Sequence, residues 1–111
     1  MSATITFEDF SKIDLRIGTI IEVKDFPDAR KPAYQLRIDF GVIGVKKTSA
    51  QITALYSKED LLHKQIVANV NFAEKQIADF RSQCLIVGAV DSDSVILLSP
   101  EDKVPNGTPV R

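Results

Sequence analysis

The clearest pattern in the chain is the alternation of Tyr34, Leu36, Ile38 and Phe40 with Gln35, Arg37 and Asp39. A period of two predicts a half-buried strand with its apolar set turned to a core. Upstream, LRIGTIIEVKDF (residues 15–26) reads as a longer strand. Leu15, Ile17, Thr19, Ile21 and Val23 share one face, and Arg16, Glu22 and Lys24 lie opposite. Gly18 interrupts it, as expected of a bulge or bend where a small barrel curls. The intervening FPDARKPA is turn chemistry, since Pro27 and Pro32 fix φ and resist strand pairing. Gly41 and Gly44 bracket a further turn, and VKKTSAQI then reads as a third strand. Its pattern is weaker and more polar, so one face should meet solvent or a ligand. Lys47, Ser49 and Gln51 share one side of it, and Lys46 and Thr48 the other.

The second half continues with Ser57 and Asp60, a capping box with Asp in place of the usual Glu. It predicts a short helix through SKEDLLHK with Leu61 and Leu62 inward, held by tertiary contacts rather than by its own length. QIVANV and CLIVGAV are strand-like. NFAEKQIADFRS, between them, is expected to be a loop, although it contains neither Gly nor Pro. SDS is a turn and VILLS a last strand. FEDFSKIDL opens the chain as a helical turn or arm, and PEDKVPNGTPVR closes it as an extended tail with three prolines. Three strands, a helix and two strands is the order of an all-β, five-stranded OB-fold Greek-key barrel. We therefore expect one domain over residues 1–111, with one short helix between strands 3 and 4 and N- and C-terminal extensions. An SH3-like barrel offers no place for that helix.

Charge changes the picture locally rather than globally. The formal net charge is −1 and the pI about 5.8, which is not the footprint of a generic nucleic-acid binder. Between residues 30 and 47, however, Arg30, Lys31, Arg37, Lys46 and Lys47 face Asp39 alone, so a basic face can exist on an acidic protein. The single cysteine, Cys84, and the single histidine, His63, supply neither a disulfide nor a metal-ligand set. GVIGVKKTS fails the phosphate-loop spacing because its second glycine comes too early. No enzyme activity, cofactor or metal is expected. No apolar run approaches membrane-spanning length, and the N-terminus lacks the basic and apolar regions of a secretory signal. The expected location is cytoplasmic, without membrane insertion.

Binding is the remaining chemistry. OB barrels take extended ligands on the face of strands 2 and 3, flanked by loops that include the one between strands 4 and 5. Here that loop is the glycine-free connector. In it Asn71 both donates and accepts, while Lys75, Gln76, Arg81 and Ser82 offer polar contacts. Phe72 and Phe80 can stack a base or bury a peptide side chain. The alternative is that both plug the barrel, Phe72 continuing the inward register of Ile66, Ala68 and Val70. Arg30 and Lys31 rim the other side, with Arg37, Lys47, Ser49 and Gln51 as a partly basic wall. Tyr56 either rims the groove or caps the core.

DLRIGTIIEVKDFPDARKPAYQLRIDFG, TSAQIT, the NF…KQI segment and the ending VPNGTPV resemble the CsaA family of export-related chaperones over nearly the whole chain. That family is similar to stand-alone tRNA-binding proteins and to the C-terminal domain of methionyl-tRNA synthetases. The resemblance implies a homodimer whose interface uses both terminal extensions. It also implies unfolded or precursor polypeptides, or tRNA, as partners. The tRNA-binding signature of an Asn, a basic stretch and a Ser maps onto Asn71, Lys75 and Ser82. CsaA-like chains carry prolines and two basic residues after the NF pair. This chain has Ala73 and Glu74 there, followed by Lys75 and Gln76.

Overall fold

The computed structural model describes residues 3–111. A short helix α1 (Phe7–Ser11) is closed at its start by a capping box between Thr6 and Asp9. The barrel strands are β1 (Leu15–Asp25), β2 (Tyr34–Asp39), β3 (Val45–Ala50) and β4 (Gln65–Asn69), with helix α2 (Lys58–Leu61) between the last two. Next come β5 (Lys75–Ile77), β6 (Phe80–Ser82), β7 (Leu85–Ile86), β8 (Gly88–Asp91), β9 (Ser94–Leu97) and β10 (Pro109–Val110). The main sheet runs β3-β2-β1-β4-β7, with β10 also on β1, and β5-β6 and β8-β9 form separate hairpins. The result is the expected all-β, OB-like barrel, nearly closed and antiparallel.

Its organising element is β1. The N-terminal half pairs with β4 from Leu15↔Asn69 to Thr19↔Gln65, and the C-terminal half pairs with β2 from Thr19↔Asp39 to Asp25↔Tyr34. The register slips between Ile20 and Glu22. This bulge, not Gly18, is where the strand changes phase. Ile17 and Ile20 are buried while Ile21 is exposed, so the single alternating face expected for 15–23 is broken in two. Gly18 has a different duty. A Cβ there would lie 2.6 Å from Ile38 Cγ2 and 2.7 Å from the Phe40 ring, so the glycine lets β1 cross directly under two core side chains.

The core contains Ile20, Leu36, Ile38, Phe40, Leu61 and Ile66, all inaccessible or nearly so. The α2 capping box forms as the sequence implied: Asp60 N donates to Ser57 Oγ at 3.2 Å and Ser57 N to Asp60 Oδ2 at 2.9 Å. Hydrogen bonding from the Ser57 backbone N–H, and after it from the Ser57 side chain, holds the exposed Asp60 carboxyl below the ordinary carboxylate range. The helix is shorter than expected. It stops at Leu61, and Leu62 turns outward at 41% exposure. Tyr56 caps the core rather than rimming a groove, accepting from Leu97 N at 3.1 Å.

The proline-rich tail has a partner inside its own chain. Ile17 N donates to Thr108 O at 2.9 Å, Gly107 N to Ile17 O at 2.7 Å, and Asn106 Oδ1 accepts from Thr19 Oγ1 at 2.6 Å. The tail thus covers the edge of β1 that β2 leaves open. Gly107 adopts φ +90°, and a side chain there would press on the Phe40 carbonyl. These bonds hold residues 106–108 of the tail to β1 within one chain. We predict that Gly18→Ala lowers unfolding stability by about 1–3 kcal/mol through overpacking, measured by urea denaturation. An unchanged midpoint would show that Phe40 can move aside.

Candidate functional site

The glycine-free connector is a hairpin rather than a loop. Lys75 pairs with Ser82, Gln76 with Arg81 and Ile77 with Phe80. The turn residue Ala78 takes φ +54°. A positive φ at the first of two central positions is the type II′ arrangement, normally given to glycine. Gln76 Nε2 braces the turn by donating to Ala78 O at 2.9 Å.

A satellite apolar cluster fixes this hairpin to the first loop. Phe26, Ala33 and Phe80 are buried together, with Ala29 and Ile77 packed against them. The Phe26 and Phe80 rings lie 5.4 Å apart and tilted by 55°, within the range that favours edge-directed aromatic contact. Lys47 Nζ sits 5.3 Å from the Phe80 ring centre. The two rims are therefore one packed unit, and a groove of about 850 Å³ lies between them. It brings together Arg30 and Lys31 from the loop, Ser49 and Gln51 from the end of β3, and Lys75 and Gln76 from the hairpin. Among the described residues, Arg30, Lys31 and Lys75 enter no ion pair, and Asp28 is the single carboxylate lining the groove.

Six of the twelve candidate residues thus share one groove. Arg37 and Lys47 line a smaller neighbouring recess of about 190 Å³, with Phe80 as part of its wall. There Arg37 Nη1 lies 3.9 Å from Glu22 Oε1. Glu74 lies 3.6 Å from Arg81 Nη1. Both arginines therefore carry an acidic neighbour that competes for any phosphate or carboxylate. Sequence reasoning assigned neither pairing, because the partners come from different strands or from across a hairpin.

The remaining candidates are placed otherwise. Asn71 Nδ2 donates to Lys12 O at 2.8 Å, and Asn71 Oδ1 accepts from Asp14 N at 3.0 Å. Its amide is engaged in pinning the N-terminal arm. Ser82 Oγ lies 2.9 Å from Thr48 Oγ1, which donates to Cys84 O at 2.8 Å. Gln83 N donates to Lys47 O at 2.7 Å, and Lys47 N to Gln83 Oε1 at 3.0 Å. These bonds seal β3 against residues 82–84, so Ser82 belongs to the barrel seam. Phe72 does not continue the inward register; it is 61% exposed, while Phe80 is 8% exposed. The aromatic that plugs is Phe80, and it does so between the rims rather than at the barrel end.

Cys84 and His63 occupy different parts of the structure, one in the main core and one on a surface cleft. Cys84 is buried in the main core, and burial pushes its thiol up to about 12, so it supplies no thiolate near neutral pH. His63 is exposed on a separate cleft. No group of three or more possible metal ligands occurs among the described residues. Nor is any helix among them long and apolar enough to cross a membrane.

A family model described as a putative tRNA binding domain matches residues 15–109. Among solved structures, the chain superposes on the chaperone CsaA of Bacillus anthracis with a TM-score of 0.94 at 49% identity, covering 98% of this chain and 100% of that one. The CsaA chaperone protein of Picrophilus torridus gives a TM-score of 0.91 at 52% identity over 97% of this chain and 100% of that one. A methionine–tRNA ligase from Pyrococcus horikoshii is 39% identical over 107 residues, 96% of this chain. The chain spans only 14% of that ligase's length. The chain belongs to the putative tRNA-binding domain family and is CsaA-like along its length.

The left-handed Ala78 generates a prediction. Ala78→Gly should raise stability by roughly 0.5–1 kcal/mol, since it removes the steric cost of positive φ in an L residue. Loss of stability on thermal unfolding would mean that the turn is not of this type.

Proposed function

We propose that this CsaA-like member of the tRNA-binding domain family is a non-catalytic, cytoplasmic, homodimeric binding protein. Its groove holds extended segments of unfolded or export-destined polypeptides. The observation that carries this reading is the two-rimmed groove, on a chain that matches two proteins named as chaperones over their full lengths. An open trough lined by Ala29, Ala33, Ile77 and Ala78 as well as by amides and cations suits a chain of mixed side chains rather than one small molecule. Exposed apolar residues on the N-terminal arm and the β8–β9 hairpin support a homodimer, among them Phe7 at 80% and Val90 at 76%. A second copy of the chain would remove these side chains from water. Two grooves per dimer would engage one client by avidity.

A second reading is favoured by one specific observation. Arg30, Lys31 and Lys75 line the groove and enter no ion pair among the described residues, with Asp28 the one carboxylate beside them, which leaves them available to phosphates, and tRNA is the ligand class in the family's description. Three neutralised phosphates on a single strand give a log–log salt slope of about −2.

The test is a pair of titrations on wild type and on Lys31→Glu/Lys75→Glu. Wild type should suppress aggregation of a chemically denatured client, and the variant should do so less well. Fluorescence anisotropy of labelled tRNA at low and near-physiological salt then decides the second reading. Binding that falls with that slope, and roughly tenfold in the variant, establishes RNA as a ligand. No client protection by wild type would overturn the chaperone reading. For assembly, light scattering should give a dimer mass, and Phe7→Asp/Val90→Asp should give a monomer. A wild-type monomer at micromolar concentration would remove the dimer.

A further inference from the structure

A second cleft, of about 540 Å³, is lined by Thr19, His63, Lys64, Gln65, Ser99 and Lys103 among others. It shares no lining residue with the groove. The groove lies at the Tyr34 end of β2, beside Ala33 and Ser49, whereas Thr19 pairs with Asp39 at the other end. The separation is roughly 17 Å along that strand.

Its lining chemistry has one sign. Two lysines and a histidine face the space, with no carboxylate among the lining residues. Glu101 and Asp102 are exposed on the same segment as Lys103 but do not line the cleft. Lys64 and Lys103 enter no ion pair among the described residues. Asp60 lies near enough to Lys64 to feel its charge but does not line the cleft.

The cleft is also held in place. His63 N donates to Ile20 O at 2.8 Å and Ile20 N to Lys64 O at 3.0 Å, so the His63–Lys64 pair is fixed to β1. His63 takes φ +73°, a conformation that costs a non-glycine residue of order 1–3 kcal/mol and persists where the surroundings impose it. On the other side, Gln65 Nε2 donates to Val104 O at 2.7 Å and to Asn106 Oδ1 at 3.2 Å, and Val104 N donates to Gln65 Oε1 at 3.2 Å. These bonds anchor the segment that carries Lys103. Thr19 is committed to Asn106, which leaves the two ammonium groups, the imidazole and the Ser99 hydroxyl to meet a ligand.

We propose that this cleft is a second binding site, for a phosphate-class oxyanion. A tetrahedral oxyanion presents three or four acceptor oxygens, enough to engage two ammoniums, a hydroxyl and an imidazole together. A carboxylate presents two on one plane. The phosphate can belong to a small phosphomonoester, whose terminal oxygens can engage all of these donors, or to a nucleic-acid backbone, whose phosphodiester keeps only its two non-bridging oxygens and would engage chiefly the two ammoniums.

The test uses the full-length protein, labelled with nitrogen-15 and titrated with inorganic phosphate against a chloride control at constant ionic strength. Saturable shifts are expected at the amides of His63, Lys64 and Lys103, with millimolar affinity. Lys103→Gln should weaken binding roughly tenfold, the loss of one charge-assisted hydrogen bond. Lys103 is exposed, and unchanged thermal unfolding of the variant confirms that the fold is intact. Linear shifts, equal shifts with chloride, or an unaltered response in the variant would overturn the site. The source of the phosphate follows from tRNA anisotropy of the same variant. A loss of tRNA affinity assigns the site to an RNA backbone, and unchanged affinity beside lost phosphate binding assigns it to a small phosphate ligand.

Discussion

An eleven-residue strand that hydrogen-bonds to three others has to curl, and the rest of this molecule follows from how β1 does so. Half of it faces β4, the other half faces β2, and the side left open by β2 is taken by the tail. The slip between Ile20 and Glu22 lets one strand serve both pairings, since a bulge adds twist and a local bend. Gly18 then allows Ile38 and Phe40 to lie directly against the backbone at the tightest crossing. The tail adds to this strand at an edge, where the missing N–H of Pro109, opposite Arg16, is tolerated.

Curling β1 brings the far edge of β3 round to residues 82–84, and the seam there is polar. Thr48 is almost wholly buried, yet its hydroxyl is satisfied by Cys84 O and Ser82 Oγ. No buried side-chain polar atom lacks a partner among the described residues. A seam of this kind fixes register better than apolar contact alone, since a slipped pairing would strand a buried hydroxyl. It also fixes where the β5–β6 hairpin leaves the barrel, and so where the groove opens.

The groove is consequently built on two scales. The seam sets the hairpin's position, while Phe26 and Phe80 hold it to the first loop. Charge is apportioned in the same geometry. Arg37 and Arg81 each lie within ion-pair distance of a glutamate, whereas among the described residues Arg30, Lys31 and Lys75 enter no ion pair and share the groove with Asp28 alone among carboxylates. The overall acidity of the chain matters less to a ligand in the groove than this local pattern, because charges beyond a Debye length of about 8–10 Å are screened.

The sequence by itself determined the elements whose signals are local. The alternation from Tyr34 to Phe40, the Ser57–Asp60 cap and the proline turn after Phe26 each depend on neighbours within a few residues, and each stands as read. The groove was partly legible for the same reason: Arg30, Lys31, Ser49, Gln51, Lys75 and Gln76 lie on segments whose place in an OB barrel follows from element order. What only the tertiary structure decided was phase and pairing. A one-residue slip at Ile21 reverses every later side chain, and no local pattern reports where it falls. Phe72 and Phe80 are alike in sequence terms; the first stands exposed before the hairpin, while the hairpin lays the second against Phe26. Asn71 and Ser82 look like ligand contacts until the arm and the seam, distant in sequence, arrive to take their hydrogen bonds.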